Sequence, residues 1–250
     1  MMFRAVLSDV DLLKNSIPII SEIIDEGVFR ADENGLTLMS ADRTMVAVVD
    51  FKILSTAFDE FKVEGKPTLG LNMTSFVAIL RRAKSGDKMI MEVGEKNRLK
   101  ITLKNGRIRS FEIPLLDITT DKPPIDQLSF TGKVDVDSQV LEEGIADADV
   151  IGDSVFMEAT PEQFSMYAKG DVSSARLDLS KEDKGLLKIG VGGTIRSQYP
   201  LEYLKKMIKA SKLASNLSLE FGADYPLRLS FIATDKLQLS FVLAPRVSEE

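Results

Sequence analysis

The feature that most constrains the fold of this 250-residue chain is an internal repeat. Residues of the first half recur in the second half at a steady offset of 127 or 128 positions, as Leu13 does at Leu141. The segment 89–94 aligns in the same way with 217–222. Further matched pairs are Phe29 with Phe156, Phe76 with Tyr203, and Ala83 with Ala210. A steady offset over such a length predicts two similar domains.

Each half combines short alternating strand patterns with two helical patterns. Apolar residues at a spacing of three to four predict helices over 8–26, 72–84, 137–149 and 201–212. Pro18 lies within the first of these and predicts a kink or a later start. Strand patterns include 28–31, 36–40, 45–53, 88–93, 98–103, 107–113, 175–179, 227–231 and 237–243. Asn34-Gly35 and Asn105-Gly106 predict hairpin turns.

The middle of the chain has no period and contains Pro123-Pro124, so residues 117–128 are predicted to form an extended connector. The predicted fold class is therefore α+β. Two repeat-related domains over 1–116 and 129–250 each contain two helices and antiparallel sheets.

Composition excludes several kinds of active site. The chain has no Cys, His or Trp, which removes thiol and imidazole catalysis and the usual zinc ligands. It also has no P-loop, no GxGxxG after a strand and no GxSxG. The glycine cluster Gly190–Gly193 lacks the Lys-Ser/Thr pair of a phosphate site and is interpreted as a turn or bulge. We therefore expect no catalytic residue, no metal ion and no cofactor.

Nothing in the sequence directs this chain to a membrane. No signal pattern is visible, and no apolar stretch approaches the roughly 18 residues of a membrane span. The lack of Cys agrees with a reducing compartment, so the expected location is cytoplasmic.

Charge is distributed unevenly although the formal net charge is −6. The segments 74–88 and 201–212 each hold four basic residues and one acidic residue, and they occupy equivalent places in the repeat. The segment 137–149 holds five acidic residues and no basic one. A basic helix face is usually only a solvated surface. Because this acidic protein has two such helices at equivalent places in the repeat, a second interpretation is also open. In that interpretation, both basic faces contact the phosphates of duplex DNA.

Several motifs together resemble a known family. These are the tandem repeat, the Pro-containing connector, Asn72-Met-Thr-Ser-Phe76 opening a basic helix, Ala223-Asp-Tyr-Pro-Leu227, and Leu243-Ala-Pro-Arg246 before a short acidic tail. Over essentially its whole length, the chain is similar to the sliding clamps of DNA replication, the proliferating cell nuclear antigen family, and most of all to archaeal versions.

The resemblance implies a ring and no enzymatic activity. Three chains would close head to tail into a six-domain torus that encircles duplex DNA without reading its sequence and makes the polymerase processive. The implied partners are DNA polymerase, a clamp loader, and nucleases and ligase that carry short aromatic clamp-binding peptides; membranes are not among them. The implied DNA-facing residues are Lys14, Arg81, Lys205, Lys206, Lys209 and Lys212. The sequence departs from the family at Glu143 and Ala146, where some members carry arginine.

The resemblance also implies a subunit interface and a partner pocket. The interface would pair Arg82, Lys84 and Arg109 with Glu143 and Asp147 of a neighbouring chain, beside strand pairing near 107–113 and 175–179. The pocket for a peptide would be formed by the apolar residues Met45, Val48, Ile125, Leu128, Pro226, Val242, Ala244 and Pro245. Alternation alone would instead place Met45, Val48 and Val242 in the core.

Three alternatives stay open at this point. The chain could be one subunit of a heterotrimeric or checkpoint-type clamp. It could be an α+β enzyme that uses carboxylates and Mg²⁺, or a protein-binding adaptor that never meets DNA. The leading expectation is a homotrimeric DNA sliding clamp.

Overall fold

The computed structural model describes residues 2–94, 97–119 and 122–246, and the chain forms two compact units. Unit 1 comprises the residues up to Arg43, Val49–Pro123 and Ala233–Leu239. Unit 2 comprises Thr44–Val48, Pro124–Ile232 and the residues from Ser240 onward. Each unit therefore includes a short segment that is distant in sequence from the rest of it.

The described residues of the first half of the chain form nine strands and two α-helices. They are β1 (Met2–Leu7), α1 (Asp11–Ile20), β2 (Glu26–Asp32), β3 (Gly35–Ala41), β4 (Ala47–Leu54), β5 (Glu60–Glu64), β6 (Thr68–Asn72), α2 (Met73–Leu80), β7 (Lys88–Gly94), β8 (Arg98–Asn105) and β9 (Arg107–Pro114). One 3₁₀ turn, Ser55–Ala57, lies between β4 and β5.

The second half repeats this order of elements. They are β10 (Gly132–Asp137), α3 (Ser138–Asp149), β11 (Ser154–Ala159), β12 (Gln163–Lys169), β13 (Ser174–Ser180), β14 (Leu186–Val191), β15 (Ile195–Pro200), α4 (Leu201–Met207), β16 (Asn216–Phe221), β17 (Leu227–Ala233) and β18 (Leu237–Leu243). The 3₁₀ segments are Ile125–Gln127 in the connector and Ile208–Leu213 after α4.

The sheets confirm the predicted repeat. Strands of the first half lie in the orders β5-β1-β7-β8-β9 and β4-β3-β2-β6. The second half has β14-β10-β16-β17-β18 and β13-β12-β11-β15, so every strand number is raised by nine. The paired strands are antiparallel, for example β8 with β9 and β12 with β13. The predicted α+β class with antiparallel sheets is therefore correct.

Each unit buries an apolar core under its helices. In unit 1, Phe29 packs edge-to-face against both Phe51 and Phe76, with ring centroids 6.2 Å apart in each pair. In unit 2, Phe164 and Phe221 meet in the same way at 6.5 Å. The helices contribute the apolar residues spaced by three and four that their sequences contain, since that spacing places them on one face.

The two helices of unit 1 are shorter than predicted. The first helix begins at Asp11 rather than Ser8 and ends at Ile20 rather than Glu26, with Pro18 inside its last turn. The second helix begins after Asn72, whose side chain accepts from the Ser75 N–H as a cap, as the sequence predicts. It ends at Leu80 rather than Lys84. Its continuation tightens into 3₁₀-type bonds, such as Arg82 N–H to Ile79 at 2.9 Å.

The helix predicted over 201–212 is α-helical only as far as Met207, after which it is a 3₁₀ segment. The strand predicted from Met45 begins only at Ala47. Met45 has a φ of +59°, in the left-handed region that a strand cannot contain. Both predicted hairpins are present, between β2 and β3 and between β8 and β9.

Within the described ranges, no helix is both long and apolar enough to span a membrane.

Candidate DNA-facing helices, subunit edges and peptide pocket

The basic face of α4 continues into the 3₁₀ segment that follows it. Leu201, Leu204 and Met207 point into the core of unit 2. Lys205 and Lys209 are exposed, and so is Lys212. Burial on one side and lysines on the other give this segment, which holds four basic residues and one acidic residue, a solvent-facing basic surface.

The ammonium groups on this surface have different surroundings. Lys205 Nζ lies 2.9 Å from both carboxylate oxygens of Asp149, the last residue of α3. Lys206 Nζ lies 2.9 Å from Glu202 one helical turn earlier, and 5.1 Å from the centre of the Tyr203 ring. Part of the basic charge is therefore paired with carboxylates of the same unit.

The two DNA-facing residues expected in unit 1, Lys14 and Arg81, differ in the groups that surround their charges. Lys14 on α1 lies 3.6 Å from Asp11. Arg81 directly follows α2, its side chain is exposed, and its backbone N–H donates to Val77 at 2.9 Å. Arg81 can therefore present its guanidinium to a phosphate without breaking an ion pair that the described structure shows.

Helix α3 presents acidic residues to solvent. Glu143 and Asp147 are exposed, and Glu143 accepts from the side-chain amide of Gln139 at 3.1 Å. An open cleft of about 600 Å³ lies beside this helix. Its lining includes Glu142, which accepts from Ser211 at 3.0 Å. In the parts of the chain that the structure describes, no three acidic residues are grouped as a metal site would require.

Both strands expected to pair across a subunit boundary lie at sheet edges. β9 pairs only with β8 in its sheet, and β13 pairs only with β12, as far as the structure describes the chain. β9 has eight residues and β13 has seven. An unpaired edge of this length is a template for adding another strand.

Arg109 on β9 is held by its own unit. Its guanidinium donates to the Arg82 carbonyl at 2.9 Å and to the Asp87 carboxylate at 2.5 Å. Asp87 is buried and also accepts from the Lys84 backbone N–H at 2.9 Å. That N–H, and then the positive charge of Arg109, hold the pKa of Asp87 below its ordinary value of 3.8. The turn that carries Arg82 and Lys84 is thereby fixed beside β9.

The residues expected to form a peptide pocket come from three segments of unit 2. Ala244 N–H donates to the Val46 carbonyl at 2.8 Å, which places the residue after β18 beside the start of β4. Pro226 leads into β17, the sheet neighbour of β18. Met45 is 69% exposed, whereas Ile125 and Val242 are buried. The remaining members are half-buried, namely Val48, Leu128, Pro226, Ala244 and Pro245.

The connector end is anchored by residues that sequence reasoning missed. Arg228 donates to the Ile125 carbonyl at 3.1 Å, and its guanidinium lies 4.8 Å from the centre of the Phe130 ring. The Tyr225 hydroxyl accepts from Ser129 N–H at 3.2 Å. Local sequence gives no signal for these contacts, because Arg228 and Ile125 are 103 residues apart.

The C-terminal motif is anchored as well. Arg246 N–H donates to the Gln198 carbonyl at 2.7 Å, and its guanidinium pairs with Asp153. That pairing is the main cause that lowers the pKa of Asp153. The acidic tail noted in the sequence, 247–250, lies outside the described residues.

Comparison with known proteins identifies the family. Residues 2–123 match the model of the proliferating cell nuclear antigen N-terminal domain, and residues 124–246 match that of its C-terminal domain. The chain belongs to the proliferating cell nuclear antigen family. The match accounts for the duplicated order of elements and confirms the family that the sequence motifs indicated.

Named relatives cover the chain completely. It is 34% identical to the DNA polymerase sliding clamp of Thermococcus gammatolerans and 33% identical to that of Pyrococcus furiosus, with full coverage of both chains in each comparison. Among solved structures, proliferating cell nuclear antigen from Thermococcus kodakaraensis is similar with a TM-score of 0.92 and 28% identity, covering 98% of this chain and all of the other. The PCNA2-PCNA3 complex from Sulfolobus tokodaii is similar with a TM-score of 0.90 and 27% identity, covering 97% and 99%.

Proposed function

We propose that this chain is a DNA sliding clamp. Three copies form a ring that encircles duplex DNA without reading its sequence and tethers DNA polymerase to its template. The observation that carries the proposal is membership of the proliferating cell nuclear antigen family over the whole chain, with relatives named as polymerase sliding clamps at 34% identity. Its action is to raise the local concentration of its partners, which needs no catalytic group.

Ring closure is supported by two of the edge strands, β9 and β13. β9 lies beside Arg82 and Lys84, and β13 lies against acidic α3. Head-to-tail contact would join β9 of one chain to β13 of the next, and opposite charges would meet beside that strand pair. Contacts of this kind close into a ring when the rotation between copies allows it.

The DNA-facing role belongs, in this proposal, to Arg81, Lys14 and the basic surface of α4. Lysines without interleaved aromatics contact phosphates rather than bases, which suits a protein that must move along any sequence. As a protein of replicating DNA, it would act in the cytoplasm at the nucleoid.

Partner enzymes would bind the apolar pocket of unit 2. A short peptide with aliphatic and aromatic side chains fits a surface of half-buried apolar residues beside an exposed Met45. Polymerase, clamp loader, nucleases and ligase would compete for this site through such peptides.

One alternative within the family has an observation in its favour. The Sulfolobus relative is described as a complex of two different subunits, so this chain could be one member of a mixed ring. The basic and the acidic edge of one chain favour three identical copies, because each copy then offers both halves of the contact.

Primer extension on a singly primed circular template tests the proposed function. We expect longer products from the matching polymerase when the chain and a clamp loader are both present. The control is the same reaction on a linear template with free ends, from which a ring can slide off. Equal product lengths with and without the chain on the circular template would contradict the proposal.

A further inference from the structure

Asp149 lies at a helix end where a carboxylate does not stabilise its own helix. It is the last residue of α3, and the C-terminal end of a helix carries partial negative charge, which disfavours an acid there. The stability of α3 therefore does not account for this residue. Its observed partner is instead on the neighbouring helix.

That partner is Lys205, one of the proposed DNA contacts. Its ammonium group lies 2.9 Å from both Asp149 oxygens. Lys205 retains 48% of its side-chain exposure and Asp149 retains 40%. An ion pair this exposed is weak, roughly 0–1 kcal/mol, so a phosphate arriving from solvent can displace the carboxylate.

From this geometry we infer that Asp149 competes with DNA phosphate for Lys205 and thereby limits how tightly the clamp holds DNA. The inference rests on the proposed function and adds a specific regulator to it. When the ring is empty, Lys205 is neutralised by Asp149. When a phosphate comes close, Lys205 exchanges one anion for another, so the net gain in binding free energy is smaller than for an unpaired lysine.

A limit of this kind suits a protein that must slide. Encirclement already prevents escape, so strong phosphate binding adds little retention and slows movement between neighbouring phosphates. Lys206 with Glu202, and Lys14 with Asp11, form comparable pairs within single helices. The pair between Asp149 and Lys205 differs because it joins two helices, so its carboxylate can be removed without altering α4.

The test measures binding of a short labelled duplex to the full-length ring by fluorescence anisotropy across a salt series. Asp149→Asn keeps the shape of the side chain and removes its charge. We expect up to about fivefold tighter binding at low salt. We also expect the slope of log affinity against log salt to steepen by up to about 0.9 for each chain. Light scattering confirms that every variant compared has the same mass.

Two further variants make the result specific. Glu162→Gln removes one charge from an exposed pair with Lys181 in the turn between β11 and β12, and it should leave the salt slope unchanged. In a Lys205→Ala background, Asp149→Asn should lose most of its effect, because the competition then has no lysine to act on.

The inference is overturned if Asp149→Asn leaves the affinity unchanged, or if it acts equally with and without Lys205. It is also overturned if Lys205→Ala leaves binding unchanged while Arg81→Ala weakens it, although the clamp function would then stand. If the unaltered ring neither binds duplex nor stimulates polymerase, the proposed function fails as well.

Discussion

Two of the strands that lie at sheet edges, β9 and β13, have surroundings of opposite charge. β9 of unit 1 packs near the turn with Arg82 and Lys84, whereas β13 of unit 2 packs against α3 with exposed Glu143 and Asp147. The strand order of the sheets is the same in both halves. In the repeat, β9 corresponds to β18 and β13 corresponds to β4, so the two edges are different elements of the duplicated scaffold. The difference teaches that one chain offers two unlike edges of opposite charge, as a head-to-tail contact requires.

The largest expected effect comes from erasing this charge difference. Glu143→Lys together with Asp147→Lys should raise the dissociation constant of the ring by on the order of ten- to a hundredfold, because attraction at each boundary becomes repulsion. Mass by light scattering over a dilution series checks this. Adding Arg82→Glu and Lys84→Glu to the same chain should restore assembly, because every boundary of the ring then pairs opposite charges again. A trimer unaffected by these reversals and by high salt would show that charge pairing does not hold the ring together.

A second effect sharpens the comparison, because only unit 2 is proposed to carry the peptide pocket. Met45→Glu with Ala244→Glu should weaken binding of a clamp-binding peptide by about tenfold or more, since a charge then faces apolar side chains of the peptide. Calorimetry measures the affinity. Ile232→Glu is the matched control, because Ile232 is 55% exposed and lies at the other end of β17. If both variants lost the same amount of peptide affinity, this would argue against a peptide pocket around Met45 and Ala244.

A third, smaller effect separates the basic residues of the two units. Replacing Lys205, Lys209 and Lys212 by Ala should flatten the salt dependence of duplex binding, by up to about 0.9 in the log–log slope for each phosphate that is no longer neutralised. Arg82→Ala with Lys84→Ala should instead lower ring stability and leave that slope nearly unchanged. If the two sets of variants behave alike, the division of tasks between α4 and the turn after α2 is wrong.

The smallest effect concerns pH. Because the pKa of Asp87 is lowered in the folded chain, its carboxylate contributes stability above its ordinary value of 3.8. That contribution is lost as pH falls through the lower folded value. Asp87→Asn should therefore reduce the thermal midpoint at neutral pH, and the gap to the unaltered chain should shrink in acid. Thermal unfolding followed by circular dichroism at several pH values checks this. A gap that stays constant into acid would show that the charge of Asp87 is not what matters.

The sequence could predict those parts of the fold that depend on local pattern. The cap at Asn72 and the turn at Asn105-Gly106 follow from residues within a few positions of one another. The repeat predicted that both halves share one order of elements. Helix ends were less predictable, because the tightening after Leu80 and Met207 depends on packing rather than on composition.

The candidate site was predictable in its residue types but not in its pairings. Lys205 meets Asp149 from 56 positions away, and Arg109 meets Asp87 from 22; no local pattern encodes such partners. The left-handed backbone at Met45 depends likewise on interactions beyond its neighbours. Assignment of 44–48 to unit 2 depends on the three-dimensional arrangement of the chain. The proposed division at a connector over 117–128 stays a prediction, which limited proteolysis would test.

The mass of the unaltered chain in solution tests the central claim most directly. Light scattering at low salt should give three times 27.6 kDa, and the mass should fall towards that of one chain as salt rises, because screening weakens the charged boundary. A single-chain mass of 27.6 kDa at every protein and salt concentration would contradict the account, since a lone chain cannot encircle DNA.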